Sequence, residues 1–127
     1  MYKEILIIIV VVALIVTLDI VSNNYTKIAV EELSIKLNDL REELLKENQE
    51  NCINKIENIK MLWKDKYNIL AYYIEHDELE KVETELTRLN ADIEMKEYKH
   101  CINELDTTIF ILNHIGQKEE FNIINIF

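Results

Sequence analysis

The sequence predicts an all-α protein in which a single N-terminal transmembrane helix is followed by a small, irregular up-and-down helical bundle. Two observations carry this prediction. The chain of 127 residues contains one Gly and no Pro, whereas β-turn-rich folds depend on both residue types. An apolar run opens the chain, and apolar residues then recur every three or four positions, which is the period of an amphipathic helix.

The charge of the chain excludes one class of partner. The sequence holds 24 Asp and Glu against 14 Lys and Arg, a formal net charge of −10. A nucleic-acid-binding protein needs a basic surface that neutralises phosphates. We therefore expect no nucleic acid among the partners.

The N-terminal run is nearly long enough to cross a membrane unaided. As a helix, residues 5–21 measure about 26 Å, slightly less than the roughly 30 Å of a hydrocarbon core. Tyr2 and Tyr25 bracket the run where interfacial aromatic residues belong, and Lys3 can reach the nearer interface. We expect membrane contact through residues 5–21 and divide the chain into an uncleaved anchor, 1–22, and a bundle domain, 23–127.

Three other interpretations of the run compete with the anchor: a cleaved secretory signal, a lipid-bearing signal, for which no Cys directly follows the run, and a buried core helix. A cleaved secretory signal would have a similar apolar core, but Ile20 occupies a position before Ser22 that usually holds a small residue. A buried core helix is disfavoured because the run has no polar stripe. The few residues that precede an apolar run of this kind usually stay inside the cell while the rest of the chain is exported. We therefore predict a single-pass protein of the cell membrane with an extracytoplasmic bundle.

Four apolar stripes follow the anchor, and each places its members on one helical face. Short joints between them favour antiparallel neighbours, so the helices should run up and down. The stripes are Val30, Leu33, Leu37, Leu40 and Leu44; Cys52, Ile56, Ile59, Trp63, Tyr67, Leu70 and Ile74; Leu79, Val82, Leu86, Leu89 and Ile93; and Tyr98, Ile102, Leu105, Ile109 and Leu112.

Local signals predict where helices begin and end. Asp77 and Glu80 have the spacing of a capping box, so Asp77 should start the third helix. Gly116 stands where a C-terminal glycine cap ends the fourth helix, and residues 121–127 should fold back over the bundle end. No helix breaker lies between Ile5 and the end of the first stripe, so the anchor and the first helix can form one rod.

One end of the predicted bundle collects groups that can ligate a metal. In an up-and-down bundle His76, Glu78 and His114 lie at the same end, and imidazole with carboxylate is a ligand set for Zn²⁺. Imidazole also titrates near neutral pH. The ordinary alternative is that His114 faces a helix C-terminus and His76 bonds a loop carbonyl.

Two cysteines stand near the starts of helices that should run parallel. If Cys52 and Cys101 meet in an oxidising compartment, a disulfide would join the second helix to the fourth. The alternative is that both are small buried apolar residues.

Catalysis has no support in the sequence. No motif places a Ser or Cys beside a base, and no P-loop or His-Glu-x-x-His helix occurs. We expect no enzyme activity and no cofactor. The leading hypothesis is a non-enzymatic interaction or accessory module at the cell envelope that binds another envelope protein or itself. The alternative is a small metal- or ligand-binding sensor that uses the His76 and His114 end or a pocket among Trp63, Tyr67 and Tyr72.

Several short motifs resemble a known family. They are Ser22-Asn23-Asn24-Tyr25, the mid-chain Trp63, the stretch from Ile74 to Leu79, and Asn113-His114-Ile115 with Asn125-Ile126. Together with the aliphatic run, they resemble a small clostridial family catalogued as domain of unknown function 4363. The resemblance spans nearly the whole chain and implies a membrane-anchored helical protein from a spore-forming Firmicute. It implies no activity and no site residues.

Overall fold

The protein is a bundle of four α-helices, one of which projects beyond it. The computed structural model describes the backbone of residues 1–126 and the side chains of residues 1–118. The helices are α1 (Tyr2–Leu45), α2 (Gln49–Leu70), α3 (His76–Glu94) and α4 (Tyr98–Ile126). The predicted all-α fold with a long N-terminal helix is confirmed.

The helices form a closed ring. Each packs against its neighbours along the chain, and α4 packs against α1. Among the described residues, the diagonal pairs α1 with α3 and α2 with α4 have no Cα atoms within 8 Å of each other. Short turns connect the helices, so α1 and α3 run one way and α2 and α4 the other, which is the predicted up-and-down arrangement.

The core lies inside this ring, and the predicted stripes of the first three helices line it. Val30, Tyr67 and Ile74 are only partly buried beside it. Burial of these side chains is the main favourable term in folding. The fully buried members are Leu33, Leu37, Leu40 and Leu44 on α1, Cys52, Ile56, Ile59, Trp63 and Leu70 on α2, and Leu79, Val82, Leu86, Leu89 and Ile93 on α3.

The buried face of α4 differs from the predicted one. Cys101, Thr108 and Ile115 are buried together with Leu105 and Leu112, whereas the predicted Tyr98, Ile102 and Ile109 are partly buried at the side. Thr108 can occupy the core because its hydroxyl donates to the carbonyl of Glu104 at 2.7 Å. A search for apolar residues at helical spacing does not find a buried polar residue such as Thr108.

The two turns at one end of the bundle share a backbone conformation. Glu47 follows α1 and Lys96 follows α3, with φ of 55° and 59°. Each turn closes with a backbone bond from the next residue, Asn48 N to Glu43 O at 3.2 Å and Glu97 N to Asp92 O at 2.9 Å. This is the left-handed helix ending that glycine usually provides, so the chain reaches positive φ without glycine.

Two predicted helix ends are wrong. Helix α3 begins at His76 with Glu75 as its N-cap, so Asp77 lies inside the first turn. There the negative charge of Asp77 still interacts favourably with the positive end of the helix dipole. Helix α4 continues past Gly116 to Ile126, so residues 121–126 extend the helix instead of folding back, and Phe127 lies outside the described residues. A Cβ added to Gly116 would lie 3.8 Å from a Val30 methyl, an ordinary contact distance.

Candidate functional site

The anchor and the first bundle helix are one helix. Among the described residues, α1 is the helix long and apolar enough to cross a membrane. None of its apolar window is buried in the structure, which rules out a core helix of the bundle. By length and composition this segment is a candidate membrane anchor or signal sequence. Because α1 runs through residues 22 and 23 unbroken, the predicted boundary between anchor and bundle domain falls within one continuous helix.

A hydrogen-bonded contact joins this rod to the turn between α2 and α3. The Tyr73 hydroxyl donates to the Ser22 carbonyl at 3.1 Å and lies 2.7 Å from the hydroxyl oxygen of Thr26. Thr26 is fully buried and donates to the same Ser22 carbonyl at 2.9 Å. The turn is therefore held at the level of α1 where the apolar run ends. We call this end of the molecule the base of the bundle.

The end of α2, the start of α3 and the later part of α4 meet at the base, as the sequence predicts. Lys118 on α4 pairs with Glu75 at 3.5 Å, which brings α4 beside the start of α3. The His76 ring is held on both sides, with Nδ1 3.3 Å from the Tyr67 hydroxyl and Nε2 3.0 Å from Glu80 Oε1.

The structure does not assemble the predicted metal site. No group of three His, Cys, Asp or Glu side chains in the described part of the chain is placed to hold a metal ion. Glu78 pairs with Lys81 at 3.8 Å, while His76 contacts Tyr67 and Glu80 as described above. His114 is exposed.

The two cysteines are buried on diagonal helices. Cys52 and Cys101 are both 0% exposed and are free thiols. Since no described Cα atom of α2 lies within 8 Å of one in α4, their Cα separation exceeds the 4.4–6.8 Å of disulfides. The predicted bridge would require a backbone shift. Burial raises the pKa of Cys52, and burial with the nearby Asp92 and Glu104 charges raises that of Cys101 to about 12.

A carboxyl pair between α3 and α4 was not predicted. Burial, a hydrogen bond with Asp92, and the charges of Asp92 and Glu85 raise the pKa of Glu104 to about 7, while Arg88 acts in the opposite direction. One Glu104 oxygen is buried without a hydrogen-bond partner among the described residues. In the sequence each acid sits beside a core residue, but their pairing depends on the register between two helices.

The predicted aromatic pocket is only partly formed. Trp63 and Tyr67 pack edge to face, with ring centroids 6.1 Å apart, and Trp63 is buried in the core. Tyr72 is 88% exposed and stands away from this pair. A shallow groove between α2 and α3 does pass Trp63, and it is also lined by Lys60, Met61, Lys64, Glu83, Leu86 and Thr87.

An exposed apolar row continues from the anchor onto the bundle. Val21, Ile28 and Ile35 are each more than half exposed and are spaced by seven residues, so they share one side of α1. Glu31 and Asp39 are exposed next to the row, at helical distances of three or four residues. We call Val21, Ile28 and Ile35 the outer row of α1.

These features define an all-α protein with four antiparallel helices, one of which is a candidate for membrane spanning. The chain belongs to the family described as a domain of unknown function (DUF4363), whose model matches residues 20–126. The match confirms the resemblance drawn from the sequence and covers the whole bundle together with the last two residues of the apolar run. Neither the curated proteins nor the solved structures contained a match.

Proposed function

We propose that this protein is a single-pass membrane protein whose bundle is a non-enzymatic interaction module that binds another envelope protein through the outer row of α1. The observation that carries the proposal is the continuity of α1, a 44-residue helix. With residues 5–21 in the membrane, this one helix would hold Ile28 and Ile35 of the outer row directly above the membrane. A partner in the same membrane would meet it there.

The outer row has the chemistry of a helix-docking face. Exposed apolar side chains at heptad spacing are the pattern by which one helix packs on another. The neighbouring Glu31 and Asp39 are acidic, and the whole chain carries a net charge of −10. A helix with basic residues beside its apolar row complements this face, whereas a second copy of this chain would place acid against acid. The complementary charges favour a different protein as the partner.

The state of the thiols supports a non-enzymatic role. A cysteine nucleophile reacts as the thiolate, which a lowered pKa favours. The fold does the opposite, because burial raises the pKa of both Cys52 and Cys101. Both are also fully buried, so a substrate has no access to them.

Site-specific crosslinking in living cells tests the proposal. A photoreactive amino acid is placed at Ile35 in the full chain, and the covalent adducts are identified by mass spectrometry. Met61 is the matched control, because it is apolar, 68% exposed and carried by α2. We expect one envelope protein to recur with Ile35 and not with Met61.

Other outcomes would contradict the proposal. Equal adducts at Ile35 and Met61 would show that the outer row has no specific partner. An adduct between two copies of this chain at Ile35 would replace the foreign partner with self-association. As a second readout, Ile28→Lys with Ile35→Lys should abolish co-purification of the partner, whereas Met61→Lys should preserve it.

A further inference from the structure

The base of the bundle lies where the apolar surface of α1 ends. Ser22 directly follows Val21, the last residue of the apolar run. The Tyr73 hydroxyl bonds the Ser22 carbonyl at 3.1 Å, so the turn of residues 71–75 is held at this height. A bilayer has a headgroup layer just outside its hydrocarbon core. With residues 5–21 in that core, the turn stands in the headgroup layer.

Two side chains at the base suit that layer. Tyr72 is 88% exposed and Ile69 is 46% exposed, so the core does not account for either. Tyrosine is enriched at membrane–water interfaces because its ring is apolar and its hydroxyl is polar. Two carboxylates at the base have partners within the protein, Glu75 with Lys118 and Glu80 with the His76 ring, which lowers the cost of bringing them against lipid.

Helix α4 extends to the same height. Gly116 lies beside Val30 of the antiparallel α1, and α4 continues for ten more residues to Ile126. Ten helical residues rise about 15 Å, which brings the end of α4 level with the last turn of the apolar run. Val16 and Asp19 of α1 are partly covered at this level, although most of their neighbours on the run are exposed.

We infer that the base of the bundle is a lipid-binding surface, with Tyr72 and Ile69 seated in the headgroup layer and the end of α4 at the level of the last apolar turn of α1. The partner of this surface is the bilayer itself. This contact would hold the bundle upright on its anchor and keep the outer row of α1 at a constant height above the membrane. The inference rests on the proposed anchoring of α1.

Fluorescence quenching by lipid tests the inference on the full chain. The protein carries Tyr72→Trp in a Trp63→Phe background and is reconstituted into phosphatidylcholine vesicles, with or without bromine on the acyl chains close to the headgroup. We expect brominated lipid to reduce the Trp emission, and the emission in plain lipid to shift to shorter wavelength than in a water-exposed reference.

Two further positions make the result decisive. Met95→Trp is the matched control, because Met95 is 72% exposed in the turn at the opposite end, and it should not be quenched. Leu14→Trp reports on the anchor, and because Leu14 lies near the middle of residues 5–21 it should be quenched strongly in a second set of vesicles that carry bromine near the ends of the acyl chains. Quenching at Leu14 with none at Tyr72 would overturn the lipid-binding base and leave the anchor intact. No quenching at Leu14 would overturn the anchoring and, with it, this inference.

Folding is checked in the same samples. Far-ultraviolet circular dichroism should match that of the unchanged chain for every variant. If Trp63→Phe fails to fold, Trp63 is retained, and the extra quenching of Tyr72→Trp relative to the unchanged chain replaces the direct measurement. Extra quenching supports the inference, and its absence overturns it.

Discussion

At the scale of single residues, the carboxyl of Glu104 makes the stability of the fold depend on pH. Burial and the neighbouring Asp92 raise its pKa from 4.5 to about 7. The folded protein therefore binds this proton more tightly than the unfolded chain does. The stabilisation is complete below pH 4.5 and is lost as the pH rises through about 7.

A substitution of Glu104 tests this linkage. Glu104→Gln keeps the shape of the side chain and removes the charge. We expect the variant to have a higher melting temperature than the unchanged protein at pH 8, with the difference shrinking toward pH 5. Thermal unfolding in detergent across this range measures it, and the exposed Glu83→Gln serves as control. An equal gain at every pH would contradict the prediction.

Trp63 combines a large buried ring with an unsatisfied donor. It is 3% exposed, and its Nε1 finds no hydrogen-bond partner in the described part of the chain. Trp63→Ala should cost about 3–5 kcal/mol because it leaves a cavity. Trp63→Phe should cost much less, since it removes a buried donor whose desolvation is itself unfavourable by about 1–3 kcal/mol. Denaturant unfolding compares the two, and equal losses for the Ala and Phe variants would contradict the prediction.

At the scale of structural elements, the two turns away from the base carry backbone strain. Lys96 adopts φ of 59°, where a side chain costs about 1–2 kcal/mol relative to glycine. Lys96→Gly should therefore stabilise the protein by about 1 kcal/mol, after the greater freedom of glycine in the unfolded chain is subtracted. Unfolding midpoints in denaturant provide the measurement. Lys96→Ala also removes the charge, so an equal gain from Ala would assign the effect to charge instead.

At the scale of the whole molecule, the buried cysteines make the membrane orientation easy to measure. Cys52 and Cys101 are both buried, so a thiol reagent would label only a newly introduced exposed cysteine. Met95→Cys places it in the exposed turn farthest from the anchor. With an extracytoplasmic bundle, a membrane-impermeant maleimide should label this variant in intact cells. Labelling only after lysis would place the bundle in the cytoplasm.

The long apolar N-terminal helix and three of the four core stripes were predictable from the sequence. Both depend on short-range patterns: an unbroken apolar run, and apolar residues at helical spacing. The fourth stripe was predicted less well because Thr108 is polar and its hydroxyl is satisfied within α4 itself. Helix ends were predicted worst, since Gly116 continues a helix while Glu47 and Lys96 end theirs.

The candidate sites depend on distances between side chains of different helices, which the spacing of residues along the sequence does not give. His76, Glu78 and His114 were predicted to share one end of the bundle, and the Glu75–Lys118 pair shows that their elements do meet there. Their side chains still do not form a ligand set, because ligation requires atoms to converge within a few ångströms. The sequence does not predict the Asp92–Glu104 pair for the same reason, because the two side chains meet only when α3 and α4 pack in register.

The sequence by itself determined the helical class, the apolar segment and most of the core, because hydrophobic periodicity and the near absence of Gly and Pro act locally along the chain. Only the tertiary structure decided which helices touch, and so it separated Cys52 from Cys101, joined Asp92 to Glu104 and held Tyr73 against Ser22. Contacts between distant residues follow from the packing of whole helices. For that reason the base of the bundle and the outer row of α1 became visible only in the folded molecule.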